Sequence, residues 1–327
     1  MRAPALLVVL AVSGALAQAP RQAATAVACV YWTQGVDTRA TLESAGIKRL
    51  CVPPERAEPW RAAGFSVTGI SEADLAARLA LPTPGVTPRP GLASPTRSPW
   101  IVANGWQYMR RPEGKYVYNV PAGKAAVAAA EAFAYGGDAV LRIDAADLKS
   151  AGEMSAFLTS LTPADLPPAA DVGVVDDGSA VTGEVMNLLA RRNLLFRVVR
   201  TPSTQFPINI RIGTPEYPVE AARDPSGFAL KIRRQLTDER RTLRLYGSEV
   251  VICRVLADAG RARLHLINYG GRELDGLRIR LRGTYGAGDV FVAGSGRLPL
   301  QDHVAADGAT EFSVPRMSVY AVVDLRN

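Results

Sequence analysis

Three carboxylates stand at the ends of apolar runs, where catalytic groups are commonly held. Asp144 follows the run Asp138 to Ile143, and Asp176 and Asp177 follow Val172, Val174 and Val175. If those runs are parallel strands, their carboxyl ends gather on one face, where open α/β sheets and βα barrels bind ligands and place reacting groups. The same position suits an N-cap, because a carboxylate satisfies the orphan amides of the helix that follows. Glu131 and Glu184 fall within helical runs, and a solvated helix face accounts for them. Trp32, Trp106, Tyr108, Tyr116 and Tyr118 offer apolar ring faces with polar tips, the surface a sugar stacks on. Trp32, Asn104 and Trp106 also follow apolar runs, so a ligand site lined by Trp32, Asn104, Trp106, Tyr108 and Asp144 is expected. The competing role for the aromatic rings is to plug the open end of a sheet.

Other chemistry is excluded by what the chain lacks. The two histidines, His265 and His303, both lie in the β-rich C-terminal region. A metal site of several histidines is therefore ruled out, as is a Ser-His-Asp triad within the α/β part. The segment GSAVTG after Asp177 has neither the lysine nor the spacing of a phosphate loop, and no cofactor is expected. Cys29, Cys51 and Cys253 are too few for a disulfide scaffold. Cys29 and Cys51 fall in the first two strands and could pair, but buried small apolar residues are the simpler reading.

The elements that position these residues alternate between strand and helix. Asp171 to Arg200 is the clearest strand–helix–strand unit, with Val181, Val185, Leu188 and Leu189 one helical turn apart and LLFRVV as its second strand. Apolar strands without strict alternation, joined by one helix, are parallel strands buried on both faces. From Ala26 the chain reads as βα repeats: AVACVYW, a helix stopped by Gly46, IKRLCVPP, a helix stopped by Gly64, then FSVTGI. Ser71 is placed to cap the helix EADLAARLA. Pro82 to Pro99 reads as an irregular surface loop. Trp100 to Ala103 is the expected fourth strand and Asp138 to Ile143 the fifth, after an alanine-rich helix from Gly123 to Tyr135. The Pro-rich seam Thr162 to Asp171 marks a boundary. INIRIG adds a strand, Asp224 to Arg244 a long helix, and from Ser248 short alternating strands predict an antiparallel sandwich.

Composition bounds the class. Apolar residues at 48% and charged residues at 21% describe a globular chain with a substantial core. Arg2, the apolar stretch Ala5 to Val12 and Ala15-Leu16-Ala17 read as a signal peptide over residues 1–17, cleaved near Ala17. A lipoprotein acylated at Cys29 is the weaker alternative. No later segment is long and apolar enough to span a membrane, so a secreted or periplasmic protein is expected. The net charge of +7 comes from basic residues spread along the chain, only five of the 38 being lysines. That pattern argues against a nucleic-acid partner and supports at most a weak affinity for anionic envelope polymers.

The order of parts resembles secreted glycoside-hydrolase-like proteins, in particular the trimeric-type β-galactosidases that carry a flavodoxin-like domain after their barrel. AEAFAYGGDAVLRI (Ala130 to Ile143) is similar to the last helix–strand step of such a barrel. Asp171 to Val199 resembles the opening of the flavodoxin-like domain. ARLHLINYGGRELDGLRIRLRG through SVYAVVDL is similar to the sandwich that closes many glycosidases. The resemblance covers roughly the last 200 residues and implies a truncated βα-barrel-like domain over 26–162, a flavodoxin-like α/β domain over 171–247 and a β-sandwich over 248–327. One eight-stranded barrel followed by a sandwich is the alternative.

The chain departs from that family where catalysis is concerned. It has no Asn-Glu pair to carry the acid, and Asn104 is followed by Gly105. It also has no nucleophilic cysteine in 171–247, which removes amidotransfer. Glycoside hydrolysis needs two carboxyl groups ~5 Å apart for retention or ~6.5–9.5 Å for inversion. The candidates are Asp144 with Asp176 or Asp177. Two functions are therefore expected of the resemblance: a non-catalytic glycan-binding or assembly protein, homo-oligomer formation included, or a hydrolase using that Asp pair.

Overall fold

The computed structural model describes residues 27–87 and 100–327. The expected leader, its cleavage point and most of the Pro-rich stretch lie outside them. The first part of the chain contains β1 (Cys29–Tyr31), α1 (Arg39–Ser44), β2 (Arg49–Val52), α2 (Ala57–Ala62), β3 (Ser66–Gly69), α3 (Glu72–Ala76) and β4 (Leu79–Leu81). It continues with β5 (Gly85–Thr87), β6 (Trp100–Val102), α4 (Gly105–Arg110), β7 (Lys115–Asn119), α5 (Ala125–Tyr135), β8 (Asp138–Arg142) and α6 (Leu148–Ser160). Gly46 and Gly64 end the first two helical turns at φ of 75° and 93°, the left-handed conformation that stops a helix at little cost only for glycine. Ser71 caps α3, its Oγ accepting from the Asp74 amide at 3.0 Å.

Six strands form one parallel sheet in the order β3-β2-β1-β8-β7-β4. Followed from β1, chain order runs outward through β2 and β3, breaks, and returns through β4, β7 and β8 to β1. A doubly wound sheet would place β4 next to β1 instead. Chain order running around the sheet is the pattern of a βα barrel, here an arc of six strands. The sheet uses its two faces differently, as period-two alternation requires. Val30, Leu50, Val52, Tyr116, Tyr118 and Leu141 belong to the large core with Leu42, Trp60, Ala128 and Leu158 of the helices. Cys29, Cys51, Val117 and Val140 face the other way, against Ile70 and Leu75 of α3. Cys29 and Cys51 are joined by a disulfide across β1 and β2.

Two expectations about the strands are corrected. Trp100–Val102 is not the fourth strand of the parallel sheet, since it pairs antiparallel with Gly85–Thr87 in a separate ribbon. The fourth place is taken by Leu79–Leu81, whose first two residues belong to the helix expected over EADLAARLA. α3 stops at Ala76, and the Arg78 guanidinium, donating to Tyr116 O and to Asp138 O and Oδ1, draws the next residues alongside β7.

The middle part holds β9 (Val172–Val175), α7 (Ala180–Arg191), β10 (Phe196–Val199), β11 (Ile208–Ile210), α8 (Val219–Ala222) and α9 (Pro225–Arg240). Its strands make their own parallel sheet, β10-β9-β11, so they are not counted into one eight-stranded barrel. The last part is β12 (Leu243–Tyr246), β13 (Val251–Ala257), β14 (Arg261–Asn268), β15 (Leu277–Arg282), β16 (Ala287–Val292), β17 (Gly296–Pro299), β18 (Gln301–Ala306), β19 (Ala309–Val314) and β20 (Tyr320–Arg326). These form two antiparallel sheets, β12-β15-β19-β18 and β13-β14-β20-β16-β17. Leu243, Val255, Leu264, Ile279, Phe312 and Val323 lie in the core they share. The first sandwich strand thus lies ahead of Ser248, and its first two residues, Leu243 and Arg244, fall at the end of the helix expected over Asp224 to Arg244. The Pro-rich seam is bonded along β13: Ala169 N donates to Val255 O and Ala257 N to Pro167 O, both at 2.9 Å.

Candidate functional site

Each strand-end carboxylate holds neighbouring donors. Asp144 is exposed, and its Oδ1 accepts from the Ala146 amide at 2.8 Å, capping the short turn before α6. Asp177 Oδ1 accepts from the Ser179 amide at 2.9 Å at the start of α7. Asp176 is clamped by Arg110 of α4, with Nε donating to Oδ2 at 2.9 Å and Nη2 to Oδ1 at 2.7 Å. The Gly178 amide adds a bond at 3.0 Å. The hydrogen bonds from Arg110 hold the Asp176 carboxyl below the usual carboxylate range. Asp144 ends the arc's β8 while Asp176 and Asp177 end β9 of the second sheet, so the three acids rim two different sheets.

The expected aromatic site is distributed differently. Trp32 sits at the end of β1 but is 9% exposed, its Nε1 donating to Thr38 Oγ1 at 2.9 Å. Trp106 lies within α4 rather than at a strand end. Its six-membered ring passes so close to Gly183 of α7 that a Cβ there would stand 3.1 Å away. Tyr108 is 2% exposed and donates to the Tyr118 hydroxyl at 2.9 Å. α4 is therefore the wedge between the two α/β units, with Tyr108 in the first core, Trp106 and Met109 against the second, and Arg110 on Asp176.

Asn104 leads to the least expected residue, Glu131, which is fully buried rather than on a solvated helix face. Its Oε1 accepts from the Asn104 amide and from the Tyr269 hydroxyl, each at 2.6 Å. Its Oε2 accepts from the Tyr118 hydroxyl at 2.5 Å and from Asn104 Nδ2 at 3.0 Å. One carboxylate thus joins α5, the turn before α4, β7 and the turn after β14 of the sandwich. Burial pushes its carboxyl above the ordinary range, against the opposing pull of these hydrogen bonds. Helix α5 explains the burial: every residue but Ala126 is enclosed, because alanine lets the sheet and the sandwich close in from both sides.

The carboxyl-end row of the arc on its inner face presents other residues. Thr68, Cys51 and Tyr31 are neighbours in register, and Asn119 stands beside Arg142. The Arg142 guanidinium lies 5.9 Å from the centroid of the half-buried Tyr31 ring, while Thr68, Asn119 and Arg142 are exposed. A hydroxyl, an aromatic face, a guanidinium and an amide in one row can hydrogen-bond and stack a hydroxyl-rich ligand. The sequence signal for them is period two counted back from each strand end, which selects the face away from the core but is weak in strands this short and apolar. Among the described residues no group of three or more His, Cys, Asp and Glu is arranged to hold a metal ion. No helix among them is long and apolar enough to cross a membrane.

No protein-family model matches the chain, and no curated protein sequence does either. Among solved structures, α-L-fucosidase isoenzyme 2 from Paenibacillus thiaminolyticus aligns with a TM-score of 0.53 at 9% identity, over 89% of this chain and 79% of that one. The β-galactosidase from Rahnella sp. R3 aligns at 0.37 and 9% identity, covering 88% and 61%. That from Bacillus circulans sp. alkalophilus aligns at 0.36 and 9%, again covering 88% and 61%. The chain thus spans less than two thirds of the galactosidases' length. The fucosidase establishes the fold, which is glycosidase-like: a parallel α/β sheet in barrel order followed by a β-rich region.

Proposed function

We propose that this chain is an exported glycosidase-like protein that binds glycans without cleaving them, at the carboxyl-end row of the arc. The observation that carries the reading is the Arg110 clamp on Asp176. A general acid for glycoside cleavage needs a raised pKa, and the clamp holds this carboxyl low. Asp144 and Asp177 are occupied as caps. Tyr31, Arg142, Asn119 and Thr68 then form the binding surface, and Trp32 supports it from behind. The fucosidase supplies the first ligand class to try, L-fucosylated glycans, and the resemblance of the sequence to β-galactosidases supplies the second, galactosides. The test is a glycan array with the mature protein, alongside hydrolysis of aryl α-L-fucoside and aryl β-galactoside. Binding should weaken about tenfold in Tyr31→Ala and in Arg142→Ala. Turnover that Asp144→Asn abolishes would replace this reading with the hydrolase.

A further inference from the structure

The basic residues look scattered in the sequence, yet the sandwich collects several of them on one face. On β15, Leu277, Ile279 and Leu281 point into the core, so Arg278, Arg280 and Arg282 point out, about 6.8 Å apart by strand geometry. The register sets Arg244 of β12 directly opposite Arg280, and Tyr246 opposite Arg278. On the other side Glu311 of β19 stands opposite Arg280. Like charges directly opposed in a sheet are unfavourable, and this pair is eased from both ends. Glu311 takes Arg278 at 2.5 Å and Arg280 at 3.5 Å. Arg244 donates from Nε to Asp238 O at 2.6 Å and lies 3.8 Å from Glu239. Four guanidinium groups thus share a sheet face: Glu311 stands between Arg278 and Arg280, Glu239 lies beside Arg244, and Asp302 sits at the edge on Ser313. Arg282 donates to Arg240 O and Thr242 Oγ1 and lies 3.8 Å from the buried Asp171. The side chains of Arg278 and Arg282 are 62% and 53% exposed, and Tyr246 is 41% exposed.

We propose that this outer face of the sandwich is a second binding site, for an acidic polysaccharide bearing carboxylate or sulfate groups. The arginine row supplies spaced partners for ligand anions, since a guanidinium binds carboxylate or sulfate through paired N–H groups. Tyr246, exposed beside Arg278, offers a ring for a sugar face. Glu311 decides between polyanions. A DNA strand presents phosphate anions along its backbone and no sugar hydroxyl donors between them, so it meets that carboxylate unfavourably. An acidic sugar chain can place its hydroxyls there as donors, between its anionic groups. The site is independent of the arc's carboxyl-end row, because it lies on the sheet built from β12, β15, β19 and β18.

The test uses the mature chain on immobilised heparin and polygalacturonate, with dextran and single-stranded DNA as comparators. Wild type should bind the two acidic polysaccharides, with affinity falling as salt rises, and should pass over dextran. Arg278→Ser with Arg282→Ser should lower that affinity at least tenfold and flatten the salt dependence. Glu311→Gln should strengthen binding to DNA more than to polygalacturonate. Thermal unfolding of each variant verifies that it is folded, and Arg278→Ser alone, which leaves the Arg282 bonds to Arg240 O and Thr242 Oγ1 in place, should also weaken binding. Equal binding by wild type and the double variant would overturn the proposal. So would wild-type binding to DNA as tight as to heparin, which would make the face a general polyanion surface. Loss of neutral-glycan binding in Tyr31→Ala with heparin binding intact would separate the two sites.

Discussion

Two carboxylates tie the arc to its neighbours, Glu131 to the sandwich and Asp176 to the three-stranded sheet, and their surroundings differ in kind. Glu131 is enclosed on all sides and held by two tyrosine hydroxyls and both nitrogens of Asn104. Asp176 keeps about a fifth of its side chain in solvent and is held by a guanidinium. The first junction is a hydrogen-bond knot in which every partner loses water, so removing any member strands the others. The second is a charge pair at a rim, where solvent can replace what is lost. A carboxylate that looks well placed for chemistry can thus serve assembly, and the one that looks ordinary can hold more of the fold.

The sharpest way to break that comparison is to truncate each acid. Glu131→Ala should cost about 4 kcal/mol in urea unfolding, since it leaves two buried hydroxyls and an amide side chain without an acceptor. Trp106→Ala, which empties the contact between α4 and α7 rather than a binding site, should cost about 3 kcal/mol while glycan binding per folded molecule is unchanged. A binding loss with no stability loss would return Trp106 to the site. Asp176→Asn should cost about 2 kcal/mol, the range for a hydrogen bond to a charged group. If Glu131→Ala and Asp176→Asn cost the same, the distinction between knot and rim pair fails.

Acidity sharpens the contrast because the two groups shift in opposite directions. Glu131 titrates above its ordinary range in the folded chain. The stability it contributes is therefore present at low pH and declines as pH rises past the unfolded glutamate value of about 4.3. Asp176 titrates below its ordinary range, so its contribution is present above about pH 3.9 and is lost as pH falls through the lowered value. Unfolding free energies measured from pH 2 to 7 should show the advantage of wild type over Glu131→Gln shrinking with rising pH. The advantage over Asp176→Asn should grow at the acid end and then level off. The smallest effect is expected at Gly183, where an added Cβ would stand 2.7 Å from Arg110 Nη1. Gly183→Ala should cost about 1 kcal/mol, because the tip of Arg110 can yield.

Much of the architecture was legible because it is written locally. Gly46, Gly64 and Ser71 punctuate the βα repeats through their own backbone and hydroxyl chemistry, and Val172 to Val199 carries its apolar pattern without help. Leu79–Leu81 was missed because alanine and leucine suit a helix as well as a strand, and the deciding contact is Arg78 on strands far along the chain. Trp100–Val102 has the composition of a core strand, and only its partner shows that it is not one. Glu131 was illegible for a similar reason. Its burial depends on Tyr118 and on Tyr269, and no helical pattern around residue 131 records either. At the candidate site, the strands are too short and too apolar for alternation to single out the exposed row at their ends, while the tryptophans, large enough to be needed inside, mimic a ligand surface in composition.

Because β1 lies in mid-arc, its two neighbours are synthesised at very different times. β2 arrives after a single short helix, and Cys51 with it, so the first pair of strands can be cross-linked early. Cys29 meets Val140 of β8 only when nearly the whole arc has been made, and β1 presents an unpaired edge until then. Closing so long a loop is an entropic barrier that local contacts do not relieve. An arc with fewer strands than a full barrel is therefore no quicker to complete, and its early cross-link keeps the waiting edge in register rather than free to pair elsewhere.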